Sequence, residues 1–309
     1  MRNCVRPHAW HVVVPTTGSS AALRRIRQHV LPAVGHERLT VVVNRAEPHE
    51  DPASANPTRG SAEDLRLVYA QHGGASGARN RGLELDHCVL VFVDDDVRIT
   101  RRAVEWLVDV VHRAPGIATA RVLPVDAGPG GVWDEFGFDR GRDPRAWQIR
   151  HDSQIGPMEV WDFGVGAMFS VGPRCQSGFA DVRFDERLSN GTPFGGTEDI
   201  DYFYQHYLAG SVISYASGVV VYHDFPLQRR AISVKILRYF ASDGAFYCKW
   251  RSRLSRRDVL SDVRGWGRRL RSELLGWVSG RRGVPLGVLI GEPFAKLAGV
   301  LWWLARRYS

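Results

Sequence analysis

Three consecutive aspartates, Asp94, Asp95 and Asp96, follow the apolar run 88–93 (CVLVFV). A buried strand over that run would hold the three carboxylates together at one edge of a sheet. Because clustered carboxylates repel one another, they are costly unless a cation neutralises them. Hard oxygen ligands beside a phosphate suit Mg²⁺ or Mn²⁺. The triplet therefore favours a divalent-metal site over its alternative, a solvated acidic turn before the next helix.

A glycine-rich segment at 73–82 (GGASGARNRG) offers the complementary chemistry for an anion. Glycines let a backbone approach a ligand closely, and the start of the following helix presents free N–H groups. Arg79 and Arg81 add positive charge that suits a diphosphate. The spacing matches neither the dinucleotide-binding GxGxxG pattern nor the P-loop. An ordinary loop–helix junction with solvated arginines stays open as the alternative.

A second acidic pair, Glu198 and Asp199, follows two glycines and a threonine at the start of a predicted helix over 198–208. Acids at a helix N-terminus complement the helix dipole, and this alone explains their position. The preceding glycines also leave room for a substrate hydroxyl, so a carboxylate here is a candidate general base. His223 follows a predicted strand over 219–222, where a histidine is either structural or a metal ligand.

The elements that must position these residues alternate between strand and helix over the N-terminal third of the chain. Strands are predicted at 10–15, 39–44, 65–70 and 88–93, and helices at 21–30 and 101–113. This alternation predicts an α/β fold with an open, mainly parallel sheet and helices on both faces. Ligands of such sheets bind beyond the carboxyl ends of the strands. Thr16, Asn44 and the aspartate triplet all fall there.

The charge of the chain is unevenly distributed. Its 309 residues carry a formal net charge of +8, with 44% hydrophobic and 24% charged residues, which excludes wholesale disorder and fibrous character. Residues 249–309 hold 14 basic and 4 acidic residues, a net charge of +10, whereas residues 1–248 hold 27 and 29. We therefore predict a slightly acidic body over 1–248, which is not expected to bind nucleic acid, and a basic helical tail over 249–309.

The tail contains an amphipathic pattern, because apolar residues recur every three or four positions at Val259, Val263, Trp266, Leu270, Leu274 and Trp277. Its arginines fall largely outside that stripe, which is typical of a helix at an anionic membrane surface. Packing on the body or on a second copy, as in a homodimer, is the alternative. The next apolar segment, 284–304, contains Glu292 and Lys296. These charges favour a docked or in-plane helix over one that crosses a membrane.

Seven motifs, in this order, resemble those of family 2 glycosyltransferases with the GT-A fold. They are VVVPTTGSS at 12–20, GGASGARNRGL at 73–83, VFVDDD at 91–96, GVGAMFSVG at 164–172, GFADVRFDERL at 178–188, GGTEDIDYFYQ at 195–205 and VVVYHDF at 219–225. The resemblance covers roughly residues 10–225. It implies one Rossmann-like domain that binds a nucleotide-diphospho-sugar (UDP, GDP or dTDP) with Mg²⁺ or Mn²⁺ and transfers the sugar to an acceptor hydroxyl with inversion.

The same resemblance implies roles for individual residues. Asp199 matches the general base and Glu198 is its catalytic neighbour, while Asp96, Asp94 and His223 match metal ligands. Donor contacts are implied for Pro15, Thr16, Asn44, Gly77, Arg79, Asp94, Asp95 and Gly166. Acceptor contacts are implied for Trp161, Asp162, Gly196 and Glu198. An acidic residue is frequent in the family where this chain has Asn44, so the nucleobase stays open.

Several functions remain in view at this point. The resemblance and the basic tail predict an acceptor that is a glycan or is lipid-linked, as in cell-surface polysaccharide or glycolipid assembly. They place the enzyme in the cytoplasm, peripheral to the inner face of the cell membrane. A soluble glycosyltransferase with a small-molecule acceptor is the main alternative. A sugar-nucleotide pyrophosphorylase is disfavoured because TTGSS at 16–20 lacks the loop of those enzymes. A non-catalytic scaffold is disfavoured because the acidic and glycine motifs are intact.

Overall fold

One mixed sheet organises the part of the chain that the computed structural model describes, which is residues 9–45, 65–125, 147–150, 166–173, 181–224, 229–279 and 285–306. Its strands are β1 (Trp10–Thr16), β2 (Leu39–Val43), β3 (Leu67–Tyr69), β4 (Val89–Val93), β5 (Val97–Arg98), β6 (Gly116–Pro124), β7 (Trp147–Ile149), β8 (Met168–Gly172) and β9 (Val212–His223). Their order is β3-β2-β1-β4-β8-β6-β9-β5, and β7 also pairs with β9. Strands β1 to β4, β6 and β9 run in one direction and β5, β7 and β8 in the other. The predicted open, mainly parallel sheet is therefore confirmed.

Helices cover both faces of this sheet and extend beyond it at the C-terminus. They are α1 (Ser20–Arg25), which continues through a π-helical turn into α2 (Leu31–Val34), then α3 (Gly74–Leu83), α4 (Arg101–Arg113), α5 (Glu198–Leu208), α6 (Arg229–Lys249), α7 (Arg256–Val278) and α8 (Leu286–Arg306). Thr100 caps α4 by accepting a hydrogen bond from the Ala103 N–H at 3.2 Å, as its hydroxyl type favours. The bounds of α4 and α5 are those that the sequence predicts.

The alternation of side chains along the strands divides the core into two layers. Val12 and Val14 of β1 pack on the face covered by α1, α2 and α4, whereas Val13 between them packs on the face covered by α3, α5 and α6. Every residue of β1, β2 and β4 is buried, which explains why these strands are continuous apolar runs rather than alternating ones. Because helices cover both faces of the sheet, the ends of these strands are held in fixed positions.

Two elements differ from the sequence prediction. The expected pair of strands at 212–215 and 219–222 is one long strand, β9, because the register against β6 shifts between Ala120 and Arg121 and the ladder then resumes. The glycine-rich segment is not a turn before a helix, since α3 begins at Gly74 and includes most of it. Trp161 and Asp162 lie outside the described residues.

The last helix packs tightly on the body. A Cβ atom on Gly299 of α8 would lie 1.7 Å from the Ala241 carbonyl oxygen of α6, and one on Gly244 of α6 would lie 1.9 Å from the Lys296 carbonyl oxygen. Two glycines thus allow the backbones of α6 and α8 to approach closely. Trp303 of α8, which is 6% exposed, joins the core layer of α5 and α6. The described part of segment 284–304 therefore packs on the body as a helix, and whether this helix also lies in a membrane plane stays a prediction.

A buried ion pair ties α5 to the end of α6. Asp201, which is fully buried, accepts hydrogen bonds from Lys249 Nζ at 2.7 Å and from Trp250 Nε1 at 2.8 Å. Lys249 also donates to Asp185 at 2.8 Å. Because the two catalytic candidates Glu198 and Asp199 begin the same helix, this contact anchors the helix that carries them.

We expect Asp201→Ala to lower the free energy of unfolding by about 2 kcal/mol, because it leaves the Trp250 indole N–H without its acceptor and removes one of the two carboxylates that pair with Lys249. Chemical denaturation followed by circular dichroism measures this change. Glu84→Ala is the matched control, since it removes the exposed Arg81–Glu84 ion pair and should change stability by less than about 1 kcal/mol. Equal effects of the two variants would contradict the anchoring role of Asp201.

Candidate active site

Two carboxylates and an imidazole converge where β4 and β9 end. One ligand atom from each of Asp94, Asp96 and His223 lies within 4.8 Å of the others. His223 Nε2 is 3.2 Å from Asp96 Oδ1, and β5, which pairs with the end of β9, holds these two strand ends together. The structure brings these three predicted metal ligands together, although more than a hundred positions separate His223 from the two aspartates.

The chemistry of this group fits a divalent cation. Burial, above all, raises the pKa of Asp94 to about 6 and that of Asp96 to about 6. Burial likewise lowers the pKa of His223 to about 4, which leaves the imidazole neutral and able to donate a lone pair. The side chains of Asp94 and Asp96 keep 30% and 29% of their surface exposed, so a ligand can reach them. Two oxygen ligands and one nitrogen ligand suit Mn²⁺ or Mg²⁺.

Arg79 links this group to the acidic pair at the start of α5. The guanidinium, only 4% exposed, donates from Nη2 to Asp94 Oδ1 at 2.7 Å and from Nη1 to Glu198 Oε1 at 2.9 Å. Burial raises the pKa of Glu198 to about 7, against the opposing charge of Arg79. Glu198 Oε2 is buried and has no hydrogen-bond partner among the described residues. Arg79 therefore holds the metal-ligand candidate and the acidic pair in one fixed arrangement.

The side chain of Asp199 points away from that of Glu198. Its Oδ2 accepts a hydrogen bond from the Gly166 N–H at 2.7 Å, and its Oδ1 accepts from the Ile200 N–H at 2.8 Å. Asp199 is partly exposed, whereas Glu198 is buried. Burial nonetheless raises the pKa of Asp199, although Arg79 and the two backbone donors lower it. A carboxylate that is fixed by backbone donors, reachable and of raised pKa has the properties of a general base.

Gly166 is a glycine because Asp199 occupies the space of a side chain. A Cβ atom there would lie 2.3 Å from Asp199 Oδ2 and 2.4 Å from Asp199 Cβ. We expect Gly166→Ala to displace the carboxylate and lower the rate of any reaction that uses it by about 100-fold, because a shift of about 1 Å in a catalytic group has that cost. Steady-state kinetics measures this loss. The exposed Gly267→Ala in α7, where a Cβ meets nothing within 4 Å, should leave the rate unchanged, and equal rates for both variants would contradict the argument.

The middle aspartate of the triplet faces away from the metal-ligand group. Asp95 Oδ2 accepts a hydrogen bond from Thr16 Oγ1, and its Oδ1 lies 3.6 Å from Arg25 Nη2. The Asn44 N–H donates to the Thr16 carbonyl at 2.8 Å, so the ends of β1 and β2 adjoin the same aspartate. Pro15, also in β1, is buried and pairs with Val42. Four of the predicted donor contacts thus lie together at one sheet edge.

Other predicted residues have structural surroundings of their own. A Cβ atom on Gly77 would lie 2.0 Å from the His72 carbonyl oxygen, so this glycine allows a close contact within the N-terminal turn of α3. Gly196 has a φ of +142° and lies against the ring of Tyr239. Arg81 is not at the site, because it is exposed and pairs with Glu84. The donor role of Gly77 and the acceptor role of Gly196 stay predictions.

Two residues that the sequence did not single out adjoin the site. Arg25 donates to the Asp95 backbone carbonyl at 3.1 Å as well as pairing with its side chain. Tyr239 on α6 lies close enough to the acidic groups that burial and the charges of Glu198 and Asp199 raise its pKa. Both residues lie on helices and belong to no recognisable motif, so nothing in the sequence indicates that they reach the site.

Comparisons with known proteins find structural neighbours of low sequence identity. No family model matches the chain, and no curated protein matches it. A crystal structure of S. aureus TarS shares 16% identity over 81% of this chain with a TM-score of 0.42, and this chain spans 44% of that structure. TarS 1–349 in complex with UDP-GlcNAc shares 14% identity over 97% of this chain and 91% of its own, with a TM-score of 0.45.

A further solved structure of similar likeness is the mannosyltransferase PcManGT from Pyrobaculum calidifontis in complex with GDP-Man and Mn²⁺. It shares 15% identity over 96% of this chain and 74% of its own, with a TM-score of 0.45. One of these neighbours is named as a mannosyltransferase, and the two complexes hold nucleotide sugars. Likeness at this level does not transfer their activity to this chain, so its function follows from the site's own residues.

Proposed function

We propose that this protein is a family 2 glycosyltransferase of the GT-A fold, which moves a sugar from a nucleotide-diphospho-sugar to an acceptor hydroxyl with inversion. One observation carries the proposal. A single buried arginine, Arg79, contacts Asp94 of the metal-ligand group on one side and Glu198 on the other. Glu198 directly precedes the candidate general base, Asp199, at the start of α5. Transfer from a diphosphate donor needs these two functions next to each other.

The donor half of the reaction needs stabilisation of a departing diphosphate. Asp94, Asp96 and His223 would hold the Mg²⁺ or Mn²⁺ ion, which supplies positive charge where negative charge develops on the leaving group. Arg79 adds a fixed positive charge at the same place, and its two carboxylate partners keep its guanidinium in one orientation. Thr16, Asn44 and Asp95 meet at the neighbouring sheet edge, where they would contact the nucleoside.

The acceptor half needs a base. Asp199 takes the proton of the acceptor hydroxyl as that oxygen attacks the anomeric carbon, and the bond to the diphosphate breaks on the opposite face. The Gly166 N–H, 2.7 Å from Asp199 Oδ2, orients the carboxylate for this step. Direct attack from the opposite face inverts the anomeric configuration. Glu198 is buried and holds Arg79 in position. Its second proposed role is a contact with the acceptor.

The acceptor is proposed to be a glycan or a lipid-linked molecule of cell-surface assembly, with the enzyme in the cytoplasm at the inner face of the membrane. The basic tail supports this choice, since its net charge of +10 contrasts with the slightly acidic body. A small-molecule acceptor is the alternative that needs no membrane. A tail that neither binds lipid nor affects transfer would favour that alternative.

A donor screen tests the proposed function. The protein is incubated with UDP-, GDP- and dTDP-sugars, with Mn²⁺ or with chelator, and the release of nucleoside diphosphate is measured. We expect metal-dependent release from at least one donor and a product of inverted anomeric configuration by NMR. Formation of nucleoside triphosphate with added pyrophosphate would instead identify a pyrophosphorylase. No release from any donor would overturn the proposal.

A further inference from the structure

The last helix exposes one row of apolar side chains and turns two charged side chains, Glu292 and Lys296, toward its neighbouring helices. Five apolar residues of α8 face outward on one side of the helix: Ile290, Phe294, Leu297, Leu301 and Leu304, with exposures of 49%, 69%, 55%, 58% and 36%. We call this set the outer stripe. Its spacing of three and four residues places all five side chains on one face, over a length of about 21 Å. The stripe contains no charged residue.

Glu292 and Lys296 of the same helix lie on the opposite side, inside the helical bundle, whereas Arg306 at its C-terminal end is exposed. Glu292, which is 1% exposed, accepts from Arg269 Nη2 at 2.6 Å and lies 2.9 Å from Lys296 Nζ. Lys296 in turn donates to Asp262 at 2.6 Å. A helix on a water-facing surface normally has the reverse arrangement, with charges outside and apolar residues inside. The outer stripe is therefore an exposed hydrophobic surface of the kind that marks an interaction site.

The helix that packs beside α8 is rich in positive charge. Helix α7 contacts α8 through Asp262, through Arg269 and through Trp266 Nε1, which donates to the Leu289 carbonyl at 2.8 Å. Over 256–278 this helix has six arginines and three acidic residues. None of its residues is buried. Its C-terminal end adds further exposed apolar side chains, Leu275 at 61%, Trp277 at 65% and Val278 at 88%.

We infer that the outer stripe lies in the interface of an anionic lipid bilayer, with α8 parallel to the membrane plane and the arginines of α7 drawn to the lipid headgroups. Exposed Phe, Leu and Trp side chains beside a surplus of arginine match the composition of interfacial helices. The charge complements anionic lipid, whereas a second copy of this chain would bring the same positive charge against it.

An in-plane arrangement agrees with the packing of α8. Helix α8 is, among the described residues, long and apolar enough by length and composition to span a bilayer. Crossing would move Glu292 and Lys296 into hydrocarbon and separate Gly299 from the Ala241 backbone of α6, and both changes are costly. With the stripe in the interface, the buried ion pairs and the contact between α6 and α8 are kept. This inference concerns binding alone and does not depend on the proposed glycosyl transfer.

Vesicle sedimentation with the full chain tests the inference. Vesicles are made of phosphatidylcholine alone or of seven parts phosphatidylcholine to three parts phosphatidylglycerol, and no nucleotide sugar is added. We expect binding to the anionic vesicles that weakens as salt is raised. Phe294→Glu should weaken that binding by at least about tenfold, because it puts a charge in place of a large apolar side chain that enters the lipid interface on binding. Val234→Glu, which adds the same charge at a residue of α6 that is 49% exposed, is the matched control and should bind as the parent does.

The charge contribution is tested separately. Replacing Arg264, Arg268 and Arg271 of α7 by glutamine should remove the preference for phosphatidylglycerol, and carbonate at high pH should release the bound parent protein. Circular dichroism checks that each variant is folded. Failure of the parent to bind, or equal binding by Phe294→Glu, would overturn the inference. A parent dimer that Phe294→Glu makes monomeric, without vesicle binding, would show that a second copy covers the stripe. Resistance to carbonate would show that α8 crosses the bilayer.

Discussion

Asp199→Asn is expected to lower the rate of sugar transfer by about 10²- to 10⁴-fold, the contribution typical of a positioned general base. Asparagine keeps an oxygen that can accept from the Gly166 N–H, which Asp199 Oδ2 contacts at 2.7 Å. It has no basic group, so the acceptor hydroxyl keeps its proton. Because the change is isosteric and lies away from Asp94 and Asp96, donor affinity should change by less than about twofold.

The measurement is steady-state transfer with the donor found by the screen, together with equilibrium binding of its nucleoside diphosphate. Asp109→Asn on the exposed face of α4 is the matched control, since it makes the same chemical change away from the site. The pH profile gives a second readout. Only the ionised carboxylate accepts a proton, and burial raises the pKa of Asp199. The rate should therefore fall, as pH is lowered, at a higher pH than an ordinary aspartate would give. Retention of most activity by Asp199→Asn would contradict the base assignment.

Asp96→Asn is expected to weaken divalent-metal binding and transfer together by more than about 100-fold, since even residues that only orient metal ligands contribute about 10- to 100-fold. An amide is a weaker ligand than a carboxylate, and it removes one of the two negative charges that Asp94 and Asp96 bring to the group. Manganese binding followed by electron paramagnetic resonance measures the first effect, and nucleoside diphosphate release measures the second.

The triplet supplies its own control for this experiment. Asp95 contacts Thr16 and Arg25 rather than the metal-ligand group. Asp95→Asn should thus leave manganese binding within about twofold of the parent protein and raise KM for the donor instead. If Asp95→Asn and Asp96→Asn lost manganese binding equally, the division of the triplet into one nucleoside contact and two metal ligands would be wrong.

The strands, and the helix starts that depend on neighbouring residues alone, could be predicted from the sequence. The apolar runs of β1, β2 and β4 are buried on both faces, so their composition alone marks them as strands. Thr100 marks the beginning of α4, because capping chemistry is local. Asp94, Asp96 and His223 each follow a predicted strand. Because the ligands of such sheets bind at the carboxyl ends of the strands, a shared site could be predicted for them.

The pairings that give the site its chemistry could not be predicted in the same way. Arg79 and Glu198 are 119 positions apart, and only the packing of α3 and α5 on one face of the sheet brings them together. Burial of an arginine between two carboxylates contradicts the usual preference of charged residues for the surface. The orientation of α8 could not be predicted either. The sequence shows that Glu292 and Lys296 are on one side of the helix, but not that this side faces the body.

Titration of the protein with UDP, GDP and dTDP in a calorimeter, with and without Mn²⁺, tests the central claim most directly because it needs neither the sugar nor the acceptor. The metal-ligand group beside Arg79 predicts that at least one nucleoside diphosphate binds in the presence of Mn²⁺, that chelator abolishes binding, and that Asp96→Asn abolishes it as well. Absence of binding by all three nucleoside diphosphates with Mn²⁺ present, or binding that neither chelator nor Asp96→Asn affects, would contradict a metal–diphosphate site at this sheet edge.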